Sequence, residues 1–247
     1  MYKCDLDRLS EKIKTFSKFG DTGNGGITRL SLSDEALAAR EEFCKRLKKL
    51  GANIVTDDMA NIYATIPGSE NLPAILSGSH LDSVRQGGNY DGVLGVLSAM
   101  EAVETIVTDK IPHRHPITVV VWTNEEGARF EPAMMSSGVL CGKFKKEDML
   151  NSEAKDIPGY YFKDALEKSG YKGSEENRMT PEKTAGLVEL HAEQGLGCGA
   201  FKIKCCGFVN IEAFCCAGRP QSKKTIGRSC ALTASMTASV NCSQPFP

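Results

Sequence analysis

An α/β fold is what this 247-residue sequence predicts. Short apolar runs of strand length alternate with longer runs of helix length. One of the short runs, residues 117–123 (ITVVVWT), is continuously apolar and β-branched, as expected of a strand covered on both faces. Strands that alternate with helices stack as a sheet packed between helices, an α/β sandwich.

Residues 33–50 (SDEALAAREEFCKRLKKL) read as a helix. Ser33 can cap it, and Asp34 and Glu35 complement the helix dipole in its first turn. Leu37, Phe43, Leu47 and Leu50 fall near one face. Lys48 and Lys49 close the last turn, and Gly51 can take the left-handed stop position. Strand-like runs follow at 53–56, 61–66 and 74–77. Residues 92–108 are apolar enough for a mostly buried helix. After the strong strand at 117–123, residues 142–182 are polar and mixed, which suits short helices and loops. Residues 186–190 read as a further strand.

The composition is that of a globular protein, with 41% hydrophobic and 25% charged residues. The length suffices for one large domain or two small ones. A net charge of −1 gives no field to attract nucleic acid or an acidic membrane. No apolar run reaches membrane-span length, and the polar N-terminus is unlike a secretory signal. The expectation is a soluble, cytoplasmic protein with no nucleic-acid or membrane partner. Cys4, Cys44 and Cys141 read as single buried thiols. Seven more cysteines crowd the last fifty residues, with no C-x-x-C pair and no histidine beyond His191 to complete a metal knuckle.

Three segments carry chemistry, each at the C-terminal end of a predicted strand, where ligands of open α/β sheets collect. In Ser77-Gly-Ser-His-Leu-Asp-Ser83, His80 can ligate a metal. Asp82, two residues on, can accept the other imidazole N–H; a turn histidine with a nearby surface acid is the bland alternative. In Gly87-Gly-Asn-Tyr-Asp-Gly-Val93, Asp91 can bridge two metals or simply cap the following helix, and Gly88 and Gly92 permit close backbone approach. In Thr123-Asn-Glu-Glu-Gly127, one glutamate can ligate and the other can act as general base, unless both are solvated at the strand end. His191, in HAEQG, is a fourth candidate that gains weight from the other three. Imidazole and carboxylate together suit Zn²⁺, with Mn²⁺, Co²⁺ or Ni²⁺ as alternatives. His113 and His115 look like solvated loop residues.

GSHLDS, GGNYDGVLGVL, VVVWTNEEGARFEPAM and HAEQG, in that order, resemble the signature blocks of the M20-like metallopeptidases. The extended NEEGARF block resembles the N-carbamoyl-L-amino-acid hydrolase and allantoate amidohydrolase branch, and GITRLSLSDEALAAREEF is similar to its N-terminal stretch. The resemblance covers residues 5–196. It implies a three-layer, zinc-peptidase-like catalytic domain with a mixed, mostly parallel central sheet, spanning residues 1–196. It also implies two divalent metal ions. His80 and His191 would bind one, Glu126 the other, and Asp91 would bridge them. Asp82 would orient His80, Glu125 would be the general base, and Gln194 would contact substrate. The implied reaction is hydrolysis of a linear amide or ureido C–N bond. An aminopeptidase or dipeptidase of the same superfamily is the alternative, as is an inactive fragment. The peptide Asp91–Gly92 would be cis.

The resemblance also implies parts this sequence lacks. Family members continue into a dimerisation domain and return to supply a last histidine ligand, whereas no histidine follows His191 here. The chain reads as truncated or frame-shifted, with residues 197–247 an atypical, poorly ordered Cys-rich tail. The expectation is one well-bound metal, an incomplete second site, little activity and no family homodimer interface.

Overall fold

The computed structural model describes residues 3–192 and the backbone of 201–206. Gln194 and most of the Cys-rich tail lie outside the described residues. Six strands form one sheet: β1 (Asn53–Thr56), β2 (Ile62–Ile66), β3 (Ala74–His80), β4 (Ile117–Trp122), β5 (Thr184–Ala192) and β6 (Phe201–Cys206). Their order is β1-β2-β4-β3-β5-β6. The sheet is mixed, and its parallel part is the central trio β4-β3-β5, flanked by antiparallel neighbours on both sides. This arrangement puts the C-terminal ends of three adjacent strands side by side.

Helix α1 (Leu6–Phe16), helix α2 (Asp34–Lys49) and helix α3 (Val93–Thr108) contribute to a core on one face of the sheet. Helix α2 forms where its caps place it. The Ser33 hydroxyl accepts from the Ala36 N–H, and Gly51 follows the helix with φ 84°. Its apolar stripe, Ala39, Phe43 and Leu47, packs with Phe16, Ile62, Val96, Leu97, Val119 and Val121. Val120 and Trp122 point the other way, into a cluster with Tyr63, Leu76 and Leu187. The alternation explains why 117–123 is apolar throughout: both faces of β4 are covered. A short helix, α4 (Met135–Leu140), lies just before the mixed region, and two more, α5 (Lys146–Leu150) and α6 (Phe162–Ser169), occupy it. Phe130, Met135, Phe162 and Leu166 form a third cluster there.

The structure differs from the sequence reading at several points. Helix α1 was not anticipated. Two basic residues tie it to α3: Arg8 Nη2 meets Glu101 Oε1 at 2.6 Å, and Lys12 Nζ meets Glu101 Oε2 and Glu104 Oε2, each at 2.7 Å. Strands β3 and β5 are longer than expected, so His80 and His191 lie within strands rather than after them. Residues 201–206, expected in a poorly ordered tail, pair antiparallel with β5. Cys4 is exposed, and Cys44 and Cys141 are half-buried, so none is the fully buried thiol expected. His113 and His115 do sit in a loop, their Nδ1 atoms paired with the carbonyls of His115 and Pro73.

Candidate metal centre

His80 ends β3 with only 1% of its surface exposed. Its Nδ1 lies 2.9 Å from the backbone carbonyl of Asp82. A carbonyl only accepts, so this bond puts a proton on Nδ1 and leaves Nε2 to face the site. Nε2 is buried and has no hydrogen-bond partner among the described residues. One ligand atom each from His80, Asp91 and His191 converge within 4.8 Å of one another. His191 Nε2 stands 3.5 Å from Asp91 Oδ1, and the two imidazole centroids are 6.4 Å apart. An orphaned buried nitrogen, a second imidazole and a carboxylate aimed at one point fit a divalent metal of the zinc type.

Asp82 works differently from its expected role. Its carboxylate is 3.9 Å from His80 Nδ1, too far for a hydrogen bond. It is the Asp82 backbone that holds the imidazole. The carboxylate instead accepts the backbone N–H groups of Glu125 (3.3 Å) and Glu126 (3.2 Å). Asp82 therefore joins the end of β3 to the turn after β4 and sets where the two glutamates leave the sheet. Asn124, at φ 54°, makes that turn and donates from Nδ2 to the Phe130 carbonyl at 2.7 Å.

Glu125 Oε2 lies 3.4 Å from His80 Nε2. Glu126 falls outside the three-residue cluster but is near enough to raise the His80 pKa. Burial alone would lower that pKa. Glu125, Asp82 and Glu126 outweigh it and hold His80 near about 9. Burial pushes Glu125 up, against the pull of His80. Burial also raises Glu126 to about 7, with His80 opposing and Asp91, Glu125 and Asp82 adding to the rise. So much negative charge in a half-buried space favours a cation.

Asp91 is not a helix cap. Gly92 is the N-cap of α3, and no side chain caps that end. Nor is Asp91–Gly92 cis, since Glu131–Pro132 is the sole cis peptide among the described residues. The sharp turn is made by Gly92 at φ 63°, a conformation that glycine adopts without a Cβ clash.

Arg29 was not singled out from the sequence. It is wholly buried, and its Nε donates to the Leu81 carbonyl between His80 and Asp82. Nη1 donates to the carbonyls of Phe16 and Phe19. Its backbone N–H donates to Ser83 Oγ, and its carbonyl accepts from the Ser83 N–H. Ile27 and Gly87 exchange backbone hydrogen bonds alongside. Residues 27–29 thus brace the end of β3, with His80, and the loop after it that carries Asp82.

The fold thus brings imidazole and carboxylate groups together at the C-terminal edge of its central parallel strands. Residues 61–183 match the model of peptidase family M28. The chain is 40% identical over 195 residues to the N-carbamoyl-L-amino-acid amidohydrolase of Rhizobium meliloti, covering 78% of this chain and 46% of that protein. It is 33% identical over 188 residues to the allantoate amidohydrolase of Escherichia coli, covering 76% of this chain and 45% of the relative. The structure of a hydantoinase/carbamoylase family amidase from Burkholderia ambifaria superposes with a TM-score of 0.74 at 34% identity, over 78% of this chain and 46% of the other. The chain is thus similar to M28/M20-like hydrolases and, over most of its own length, to the hydantoinase/carbamoylase amidases. It spans about half the length of the relatives it matches.

Proposed function

We propose that this chain carries the metal centre of a hydrolase that cleaves linear amide or ureido C–N bonds. The observation that carries the reading is His80 Nε2, which is buried, lacks a hydrogen-bond partner among the described residues and is gathered with Asp91 and His191. His80, Asp91 and His191 would hold one divalent ion, with zinc, manganese, cobalt or nickel suited to the donors. Glu126 borders the cluster and would contribute to a second ion through Asp91. A bound metal supplies polarisation of the substrate carbonyl and a water of lowered pKa. Glu125, whose Oε2 lies 3.4 Å from His80 Nε2, would take the proton of the attacking water and pass it to the leaving nitrogen. Burial raises the Glu125 pKa, which suits a base that must also give its proton back.

The relatives' names favour an N-carbamoyl amino acid or allantoate as the substrate class, with ureidopropionate of the same chemistry. A carbamoyl substrate would yield the amino acid, ammonia and CO₂. No helix among the described residues is long and apolar enough to cross a membrane, in keeping with a cytoplasmic enzyme acting on a small molecule. The test is a side-by-side assay of an N-carbamoyl amino acid, allantoate and a dipeptide, with and without added Zn²⁺ or Mn²⁺. Slow, metal-restored ammonia release from a ureido substrate is the expected result. Cleavage of the dipeptide alone would replace this reading with the peptidase one.

A further inference from the structure

The parallel ladder between β3 and β5 is registered only as far as Ser77 and Val188. The two histidines of the centre lie beyond that point, His80 three residues further along β3 and His191 three further along β5. In this gap a side-chain bond joins the strands: Ser79 Oγ donates to Glu189 Oε1 at 2.6 Å. Ser79 is fully buried and immediately precedes His80. Glu189 is half-buried and lies two residues before His191, so both project to the same side of β5. A hydroxyl donating to a carboxylate at this distance is a strong, charge-assisted hydrogen bond.

Helix α3 closes over the same spot. A Cβ on Gly95 would stand 2.8 Å from the Ser79 Cβ and 2.5 Å from the Leu190 carbonyl oxygen. Only glycine lets α3 lie this close, and α3 begins at Val93, two residues after Asp91. The junction of Ser79, Glu189 and Gly95 therefore lies within four residues along the chain of each member of the cluster.

We propose that the Ser79–Glu189 hydrogen bond is a positioning link that sets the separation of His80 and His191, and with it the metal affinity of the centre. The inference rests on the metal-centre reading above. Neither residue would touch the metal; both act through the strands that carry the ligands. Outer groups that orient ligands typically change metal affinity by about 10- to 100-fold when removed.

The experiment is a competition titration of Zn²⁺ against a chromophoric chelator, with the visible spectrum of the Co²⁺-loaded protein as a second readout. The full chain is compared with Ser79→Ala, Glu189→Ala, Glu189→Gln and His80→Ala. Thermal melting of the metal-free proteins separates a misplaced ligand from a failed fold. Ser79→Ala and Glu189→Ala are expected to weaken Zn²⁺ binding about 10- to 100-fold and to shift the Co²⁺ bands, with little change in melting. Glu189→Gln keeps an acceptor oxygen and is expected to hold affinity within about threefold of the parent, below the effect of losing an outer partner. Unchanged affinity and spectra in both alanine variants, with binding lost in His80→Ala, would overturn this proposal alone. Binding that survives in His80→Ala would overturn the metal-centre reading and this proposal with it.

Discussion

Gly92 lies directly against the imidazole of His80: a Cβ at Gly92 would stand 2.3 Å from His80 Cε1 and 2.4 Å from Nε2. The contact ties the turn carrying Asp91 to the imidazole at the end of β3. Gly92→Ala must move one or the other, and it also strains a backbone at φ 63°. The variant is expected to lose about 1–3 kcal/mol of stability and most of its Zn²⁺ affinity. Urea melts and chelator competition measure the two effects. An alanine variant that binds Zn²⁺ like the parent would contradict the contact.

Asp82 makes a separate prediction, because its carboxylate holds the Glu125 and Glu126 amides rather than the imidazole. Asp82→Ala leaves two half-buried N–H groups without their acceptor, at a cost of about 1–3 kcal/mol in denaturant melts. Asp82→Asn keeps one acceptor oxygen and is expected to fall between the two. The His80 tautomer should survive both changes, since the Asp82 backbone carbonyl holds Nδ1. Imidazole ¹⁵N shifts in Asp82→Ala check this, and a switched tautomer would return the orienting role to the carboxylate.

Glu125 is expected to serve chemistry more than binding. Glu125→Gln should lower any metal-restored ureido hydrolysis by about 100-fold or more while metal content stays near the parent level. Parallel rate and elemental measurements decide it. Loss of metal along with activity would make Glu125 a ligand instead.

Glu101 links charge to stability far from the site. Burial opposes its ionisation, yet hydrogen bonds from Arg8, Lys12 and the Asp5 N–H lower its pKa from 4.5 to about 2. A depressed carboxylate pKa gives stability that is full above the unfolded value and lost as pH falls toward the folded one. The pair is expected to contribute up to about 3 kcal/mol at neutral pH, fading below about pH 5. Glu101→Gln should remove most of that and flatten the acid limb of a pH–stability profile. An unchanged profile would show that α1 is held by packing alone.

The parts legible in the sequence were those with local causes. Helix α2 announces itself through Ser33, its acidic first turn and Gly51. The β-branched run of β4 implies burial on both faces. The site residues were legible as blocks at strand ends, and His80, Asp91 and His191 do converge. What stayed hidden depends on pairing across long separations. Helix α1 is anchored by Arg8 and Lys12 to residues about ninety positions away. The Arg29 brace reaches 52 positions to the Leu81 carbonyl, and no local pattern marks it. Ser79 and Glu189 are 110 positions apart. The available signal was Glu189 two residues before His191 in a strand, which places a carboxylate on the same side as the imidazole. The Asp82 role was misread because spacing alone cannot separate a side-chain acceptor from the backbone carbonyl of the same residue.

The most direct measurement is the metal content of the purified 247-residue protein by elemental analysis, beside a His80→Ala control. About one zinc-type ion per chain is expected, as three protein donors would hold a single ion, and the control should lose it. A parent protein with no metal, or a His80→Ala variant that keeps it, would contradict the metal centre.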